Sequence, residues 1–411
     1  MDQSNIVILG GGMVAGYAAK QMIELGLPKG ELAILSADTA VPYERPPLSK
    51  GFLAGDDSED AIRINPQDFY AKHGIELRLQ CQVTAVDVKR RLIRSNNDDF
   101  GFQKLIVATG ARPRTLNIPG SGLKNLFYLR TLNDSTNIRN AAEKAKHAIV
   151  IGSGFIGMEV AAVFAQKGIE VAMVLNEDRV FKRLFSPEMS SFFETYYAAR
   201  GVRLIKSMSV AEFRGDGIVN SAVLRNGQTI QCDLVVAGIG VEPVIDVVAS
   251  SGLDISNGIL VNEYLQTSDP DIFAAGDVAN YQDVLFGKRR RVEHWDNAVS
   301  QGQYCARSLS GDRTPFRHVP YFFSDVFDLS YEFWGDSSGA DQVVPRGDVS
   351  SRSFSVWWLS QQRVVAAFAM NRPDEERNVA PKWIESGEKV STAKLRDVSQ
   401  PIVTASPSAA A

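Results

Sequence analysis

The stretch Ile6-Val7-Ile8-Leu9-Gly10-Gly11-Gly12-Met13-Val14-Ala15-Gly16 decides the fold. Four apolar residues in a row read as a strand buried on both faces of a parallel sheet. The glycines that follow read as a tight turn, and Tyr17 to Leu25 as the helix behind it. Gly10 permits the turn. Gly12 has no Cβ, so a pyrophosphate can approach the backbone. Ala15, which the motif allows in its third position, and Gly16 keep helix and strand close. The free N–H groups at the helix start then face the phosphates. A second apolar strand, Leu32 to Leu35, leads to Asp38, which lies 22 residues past Gly16, where an acid accepts hydrogen bonds from a ribose.

This unit recurs. Ala148 to Ile151 is a strand, and Gly152, Gly154 and Gly157 complete a second glycine fingerprint that starts 142 residues after the first. Phe155 and Ile156 open its helix. Val171 to Leu175 is the next strand, and Glu177 lies 20 residues after Gly157. An acid there suits a free 2′-hydroxyl and favours NADH over NADPH; Arg179 and Lys182 are near enough to weaken that preference. One glycine turn can serve packing alone. Two complete units in one chain point to two dinucleotide sites.

With 411 residues, 45% apolar residues and a net charge of −4, the chain suits two or three globular domains and not nucleic-acid or membrane-surface binding. No run reaches the ~18 apolar residues of a membrane span. The first strand begins by residue 6, which leaves no room for a signal peptide and reads as cytoplasmic. Cys81, Cys232 and Cys305 are far apart, so no local redox disulfide is expected, and the four histidines have no metal-ligand spacing.

Between the two fingerprints, Val41 to Gly51 holds a double proline and should be an ordered loop leading into a short helix. Its Arg45 and Lys50 read either as cations for a nucleotide and an electron-rich ring or as solvated charges on a rigid turn. Ala108-Thr109-Gly110-Ala111-Arg112 is a sharp turn after a strand. Glu159, in the first turn of the second fingerprint's helix, is either a partner of the helix dipole or a functional carboxylate. Leu234 to Gly240 is a buried strand with a glycine turn. Gly276-Asp277 follows another strand and should open a helix that Asp277 caps, or else hold a polyol hydroxyl. Lys288-Arg289-Arg290-Arg291 reads as a solvated turn or as a docking patch for an acidic partner. Val292 to Ala298 opens a helix that runs to about Leu309. Residues 316–370 should form a compact α+β domain with an aromatic core, and the last ~25 residues a mobile tail.

Taken in order, Gly10 to Gly16, Tyr43 to Lys50, Ala108-Thr109-Gly110, Gly152 to Glu159, Ala275-Gly276-Asp277 and Glu293-His294-Trp295 resemble flavoprotein pyridine-nucleotide oxidoreductases of the ferredoxin-reductase-like type. That group includes ferredoxin and rubredoxin reductases, monodehydroascorbate reductase and apoptosis-inducing factor. The resemblance implies an α/β protein with two Rossmann-like dinucleotide-binding domains, for FAD and NAD, plus a C-terminal α+β domain. The expected division is 1–115 with 242–312 for FAD, 116–241 for NAD(P), 313–385 for the C-terminal domain and 386–411 for the tail.

The resemblance also implies site residues. Gly10, Gly12, Asp38, Arg45, Arg112 and Asp277 match positions that hold FAD. Lys50 matches the lysine beside the flavin N5, and Glu159 its partner. Gly152, Gly154, Gly157 and Glu177 match the NADH site, and Trp295, Phe322 and Phe323 line the flavin. Ala15, Gly16, Val83, Ala108, Thr109, Gly110, Arg130, Phe155, Ile156, Gly240, Gly276, Glu293 and His294 complete the expected cofactor contacts, with Lys50 and Glu159 as the catalytic pair and no metal. A nearby ammonium stabilises a reduced, anionic flavin, which gives Lys50 a physical reason.

The expected function is FAD-dependent oxidation of NADH, with NADPH as the alternative donor, and delivery to a one-electron acceptor. That acceptor is a small acidic iron–sulfur protein, docking at Arg289, Arg290 and Arg291, or an organic radical such as monodehydroascorbate. Several stretches, among them Phe192 to Tyr197 and Tyr321 to Leu329, look most like monodehydroascorbate reductase. Yet where the plant enzymes carry an arginine associated with the ascorbate radical, this chain has Val299. The other reading is a redox-sensing flavoprotein resembling apoptosis-inducing factor. A monomer or homodimer is expected.

Overall fold

The computed structural model describes residues 2–96 and 98–406. The chain divides into two compact units.

The first unit comprises residues 1–46, 58–112 and 241–320. Its main sheet runs in the order Glu76–Arg78, Leu32–Leu35, Asp2–Leu9, Asp99–Val107, Leu92–Ser95, Val83–Asp87, with Ile272–Ala274 also paired to Asp99–Val107. The pairings around Asp2–Leu9 are parallel, and Leu92–Ser95 joins Asp99–Val107 antiparallel. Val7 and Ile8 are fully buried, and all four residues of Leu32–Leu35 are buried. This is the unbroken apolar run that a sheet covered on both faces requires. The helix Met13–Glu24 begins earlier than the sequence pattern suggests, because Gly12 is its N-cap. It packs on the helix Trp295–Leu309, where Gly302 allows the crossing: a Cβ there would stand 2.8 Å from the Val14 carbonyl oxygen.

Two local expectations fail in this unit. No α-helix follows Gly276-Asp277; a 3₁₀ turn, Gly276–Val278, feeds the strand Ala279–Asp283. That strand pairs in parallel with Gly258–Val261, and the pairing outweighs the local helix signal. The run expected as a solvated turn is the strand Lys288–Arg290, antiparallel to Ala279–Asp283.

The second unit comprises residues 47–57, 113–240 and 321–411. A parallel sheet runs Val202–Ile205, Glu170–Val174, His147–Ile151, Leu234–Ala237, Leu126–Phe127, and the helix Phe155–Gln166 lies against it. An antiparallel sheet runs Tyr321–Val326, Leu329–Gly335, Arg363–Met370, Phe354–Ser360, Gln342–Gly347. The two sheets share one core, in which Phe181, Phe185, Phe193, Tyr331 and Phe368 meet in edge-to-face, tilted and stacked pairs at centroid distances of 5.0–6.5 Å.

Residues 388–406, expected as part of a mobile tail, are instead built into this unit, and 407–411 lie outside the described residues. Leu395 is fully buried and Ile402 is 2% exposed. Arg346 donates to the carbonyl oxygens of Leu395 (3.1 Å), Asp397 (2.6 Å) and Gln400 (2.8 Å), which fastens the segment down. The polar composition suggested disorder, but two apolar anchors and a buried guanidinium suffice to order it.

Candidate functional site

In the first unit, Gly10 has φ +125°, and a Cβ there would lie 2.1 Å from the Ala108 carbonyl oxygen, so only glycine fits. Gly12 starts the helix with no side-chain cap, and the Arg45 guanidinium lies 3.5 Å from where a Gly12 Cβ would stand. Helix-start N–H groups without a side-chain cap and with a guanidinium nearby are the geometry that a pyrophosphate cradle needs. Ala15 is fully buried, and Gly16 faces Ile64 and Pro42, so these two residues serve packing. The Asp38 carboxylate accepts from the Tyr43 hydroxyl (2.8 Å) and the Thr39 amide (2.7 Å), which fixes its direction at the strand end.

Other candidates in this unit hold the loops together. The Thr109 hydroxyl donates to the Val244 carbonyl (2.7 Å), and the Gly110 carbonyl accepts from the Val244 amide (2.9 Å). Val83 is a core residue at 5% exposure. Arg112 is paired with Glu242 (2.8 Å) and Asp246, whose carboxylates raise its pKa. The Gly276 amide donates to the buried Gln301 side chain (2.7 Å). Desolvation pulls the His294 pKa down to about 4 despite Asp277 and Asp296, so its imidazole is neutral. Trp295 Nε1 and the Tyr17 hydroxyl both donate to Glu44, one to each carboxylate oxygen. Burial, then Glu44, push the Tyr17 pKa upward.

The cationic run is largely turned inward. Arg290 pairs with the buried Asp283 (2.9 Å), and Arg291 pairs with Glu293 (2.5 Å) and donates to the Asp277 carbonyl (3.0 Å). Arg289, whose residue is exposed, still donates to the Val261 and Asn280 carbonyls. These arginines staple their own sheet, and Arg289 alone of the three is exposed.

In the second unit, Gly152 (φ +116°) repeats the geometry of Gly10: a Cβ would lie 2.1 Å from the Gly238 carbonyl oxygen. Gly154 caps the helix Phe155–Gln166 and faces open space, and Gly157 packs on the Gly152 carbonyl. Ile156 is 40% exposed beside them. Glu177 accepts from the Ser153 hydroxyl (3.3 Å), which places the acid next to the glycine loop. Arg179 donates to the carbonyls of Lys182 (3.1 Å) and Phe185 (3.3 Å), and Lys182 pairs with Asp178 (3.2 Å). Phe155 and Phe322 meet at 4.5 Å and Phe322 stacks on Phe333 at 5.0 Å, so both rings belong to the aromatic core. Gly240 (φ +95°) accepts from the Arg114 amide, and Arg130 directly precedes the helix N-cap Thr131.

The third cluster also lies in the second unit. Lys50 Nζ is 3.5 Å from Glu159 Oε1 and 4.4 Å from the centroid of the Phe323 ring. Glu159 is 5% exposed. Its carboxylate accepts from Ser49 on Oε2 and from Ser324 (2.6 Å) on Oε1. Sequence reasoning found Lys50 and Glu159 but missed Ser49 and Ser324, as it missed Glu44 and Gln301. The available signal was a serine directly after three aromatic residues, Tyr321, Phe322 and Phe323, in one strand. Among the described residues no group of acidic, histidine or cysteine side chains could hold a metal, and no helix is long and apolar enough to cross a membrane. A cavity of about 700 Å³ lined by Tyr304, Arg307, Phe316, Arg317 and His318, among others, includes none of the candidate residues.

Two glycine cradles, each followed by an acid at the end of the next strand, define a protein with two dinucleotide-binding units. Comparison with known proteins makes this specific. Residues 4–302 match the family described as pyridine nucleotide-disulphide oxidoreductase, and residues 321–405 match the reductase C-terminal family. The monodehydroascorbate reductase of Pisum sativum is 33% identical, with 96% of each chain covered. The rubredoxin-NAD(+) reductase of Pseudomonas putida is 33% identical over 90% of this chain and 97% of its own. The reductase in a covalent putidaredoxin reductase–putidaredoxin complex superposes with a TM-score of 0.94 at 32% identity, with 99% of each chain covered. The chain belongs to the pyridine nucleotide-disulphide oxidoreductase family. It is an FAD-dependent NAD(P)H oxidoreductase that serves a one-electron acceptor.

Proposed function

We propose that the chain oxidises NADH and delivers single electrons to a small iron–sulfur protein. Val299 carries the choice of acceptor. It is an apolar core residue, 8% exposed in the helix Trp295–Leu309, at the position where the resemblance to the plant enzymes sets their radical-associated arginine. The superposition with the reductase of the putidaredoxin complex supports the same choice.

The residue roles follow the chemistry. When bound, FAD supplies the chemistry of accepting a hydride from NADH and releasing electrons singly. Gly10, Gly12 and Arg45 hold the FAD pyrophosphate, and Asp38 its ribose. Gly152, Gly154 and Glu177 hold NADH. The preference for NADH is supported by the local contacts of Arg179 Nη2, which donates to the Lys182 and Phe185 carbonyls, and of Lys182, which pairs with Asp178. Lys50 supplies the positive charge that favours the reduced flavin, and Glu159 fixes its position. The division into an FAD-binding domain (1–115 and 242–312), an NAD-binding domain (116–241) and a C-terminal domain fits these roles, with the last extended to residue 405. A cytoplasmic location is supported by the three free, buried thiols.

Steady-state reduction of a ferredoxin, a rubredoxin and enzymatically generated monodehydroascorbate, each with NADH, tests the proposal. The expected result is a kcat/KM at least tenfold higher for one of the iron–sulfur proteins. A higher value for the radical would replace this acceptor by the second reading, which the overall identity to the Pisum sativum protein favours.

A further inference from the structure

Glu159 and Lys50 are not a simple ion pair. A carboxylate can accept about four hydrogen bonds, and a buried one must find them inside the protein. Here the two oxygens are taken by two hydroxyls from distant segments. Ser49 closes the 3₁₀ turn Pro46–Ser49 and immediately precedes Lys50. Ser324 follows Phe323 in the strand Tyr321–Val326. Both serines are nearly inaccessible, at 2% and 0% exposure. With the carboxylate so satisfied, Lys50 stays at 3.5 Å, beyond a direct charged hydrogen bond, and its ammonium also lies 4.4 Å over the Phe323 ring.

We infer that Ser49 and Ser324 are positioning residues: their hydroxyls hold the Glu159 carboxylate so that it orients Lys50 without neutralising it, and thereby set how much positive charge Lys50 presents. Each serine sits beside a residue whose position depends on the same network, Lys50 in one case and Phe323 in the other. Removing either hydroxyl leaves a buried carboxylate oxygen short of a donor, and the nearest cation able to fill the gap is the Lys50 ammonium. Closing that distance buries the charge in a tight pair and draws it from Phe323. The flavin would then meet a weaker positive field.

This inference rests on the role proposed for Lys50. Its test is the midpoint potential of the bound flavin in Ser324→Ala and Ser49→Ala, measured by equilibrium dye titration, with stopped-flow reduction by NADH alongside. The flavin potential is expected to become more negative in both variants. Reduction by NADH is expected to slow about tenfold, as for loss of one hydrogen bond to a charged group. Ser324→Thr, which keeps the hydroxyl on a strand, should restore both values. FAD content and melting temperature identify any variant that fails to fold, in which case the other serine carries the test. An unchanged or more positive potential in a folded, flavin-loaded alanine variant overturns the inference. Lys50→Met separates the two levels: if it moves the potential and the serine variants do not, only the serine inference fails. If Lys50→Met leaves the potential unmoved as well, the role of Lys50 itself is lost.

Discussion

Glu376→Gln tests the ordering of the C-terminal segment most directly. Glu376 lies in the helix Asp374–Ser386 at 4% exposure and accepts from Arg346 Nε (2.8 Å), Arg372 Nε (2.9 Å) and the Ser355 hydroxyl (2.9 Å). Arg346 is itself 3% exposed and spends its remaining donors on the carbonyls of Leu395, Asp397 and Gln400. The glutamine is isosteric but removes the charge that compensates a buried guanidinium, a change that costs about 3–5 kcal/mol. At 1.4 kcal/mol per factor of ten, opening of residues 392–405 should become more frequent by at least about a hundredfold. Amide hydrogen exchange over that segment reads this directly, and the urea midpoint reports the effect on the unit. The pH dependence has a definite sign. The guanidiniums and Ser355 hold Glu376 below its ordinary value of 4.5, against the effect of burial. Its stabilisation is therefore complete above that pH and is lost as pH falls through the lowered folded value. The gap between wild type and variant should narrow in the same range. Exchange protection equal to wild type at pH 7, or a gap that stays constant down to pH 3, would refute the account.

Three other outcomes are expected. Gly152→Ala forces a Cβ to within 2.1 Å of the Gly238 carbonyl at a positive φ, so NADH affinity should fall more than tenfold while FAD stays bound; an unaltered NADH titration contradicts the role of that turn. Glu177→Arg should move the NADPH/NADH ratio of kcat/KM toward NADPH by about tenfold, the value of one charge-assisted contact; a constant ratio removes Glu177 from ribose recognition. The three cysteines should resist a thiol reagent in the native state and react only on unfolding, because all are buried and desolvation raises the Cys232 thiol to about 12 and Cys305 further. Rapid labelling of the folded protein would show that one is accessible.

The features legible in the sequence are the local ones. Gly10 and Gly152 announce themselves because a strand, a turn and a helix must meet within a few residues. The buried strands are plain because parallel sheets leave no polar face. What stayed hidden depends on partners far along the chain: Ser49 meets Glu159 across 110 positions and Ser324 across 165. The arginine run is the exception: its counter-charge Asp283 is close by in the chain, on the paired strand, but only the fold shows that it is buried. The helix expected after Asp277 lost to pairing with Gly258–Val261, a competitor that local propensity does not register.

The aromatic core of the second unit has a consequence for anyone recombining relatives. Phe181 and Phe193 belong to the nucleotide-binding half of that unit, yet they interlock with Tyr331 from the antiparallel sheet, and Phe185 does the same with Phe368. A chimera spliced at residue 320 would inherit one side of a zipper without its teeth. It would also strand Glu159 away from Ser324. The terminal sheet is therefore not a portable module, and functional crossovers should carry the helices Phe155–Gln166 and Pro187–Ala198 together with it.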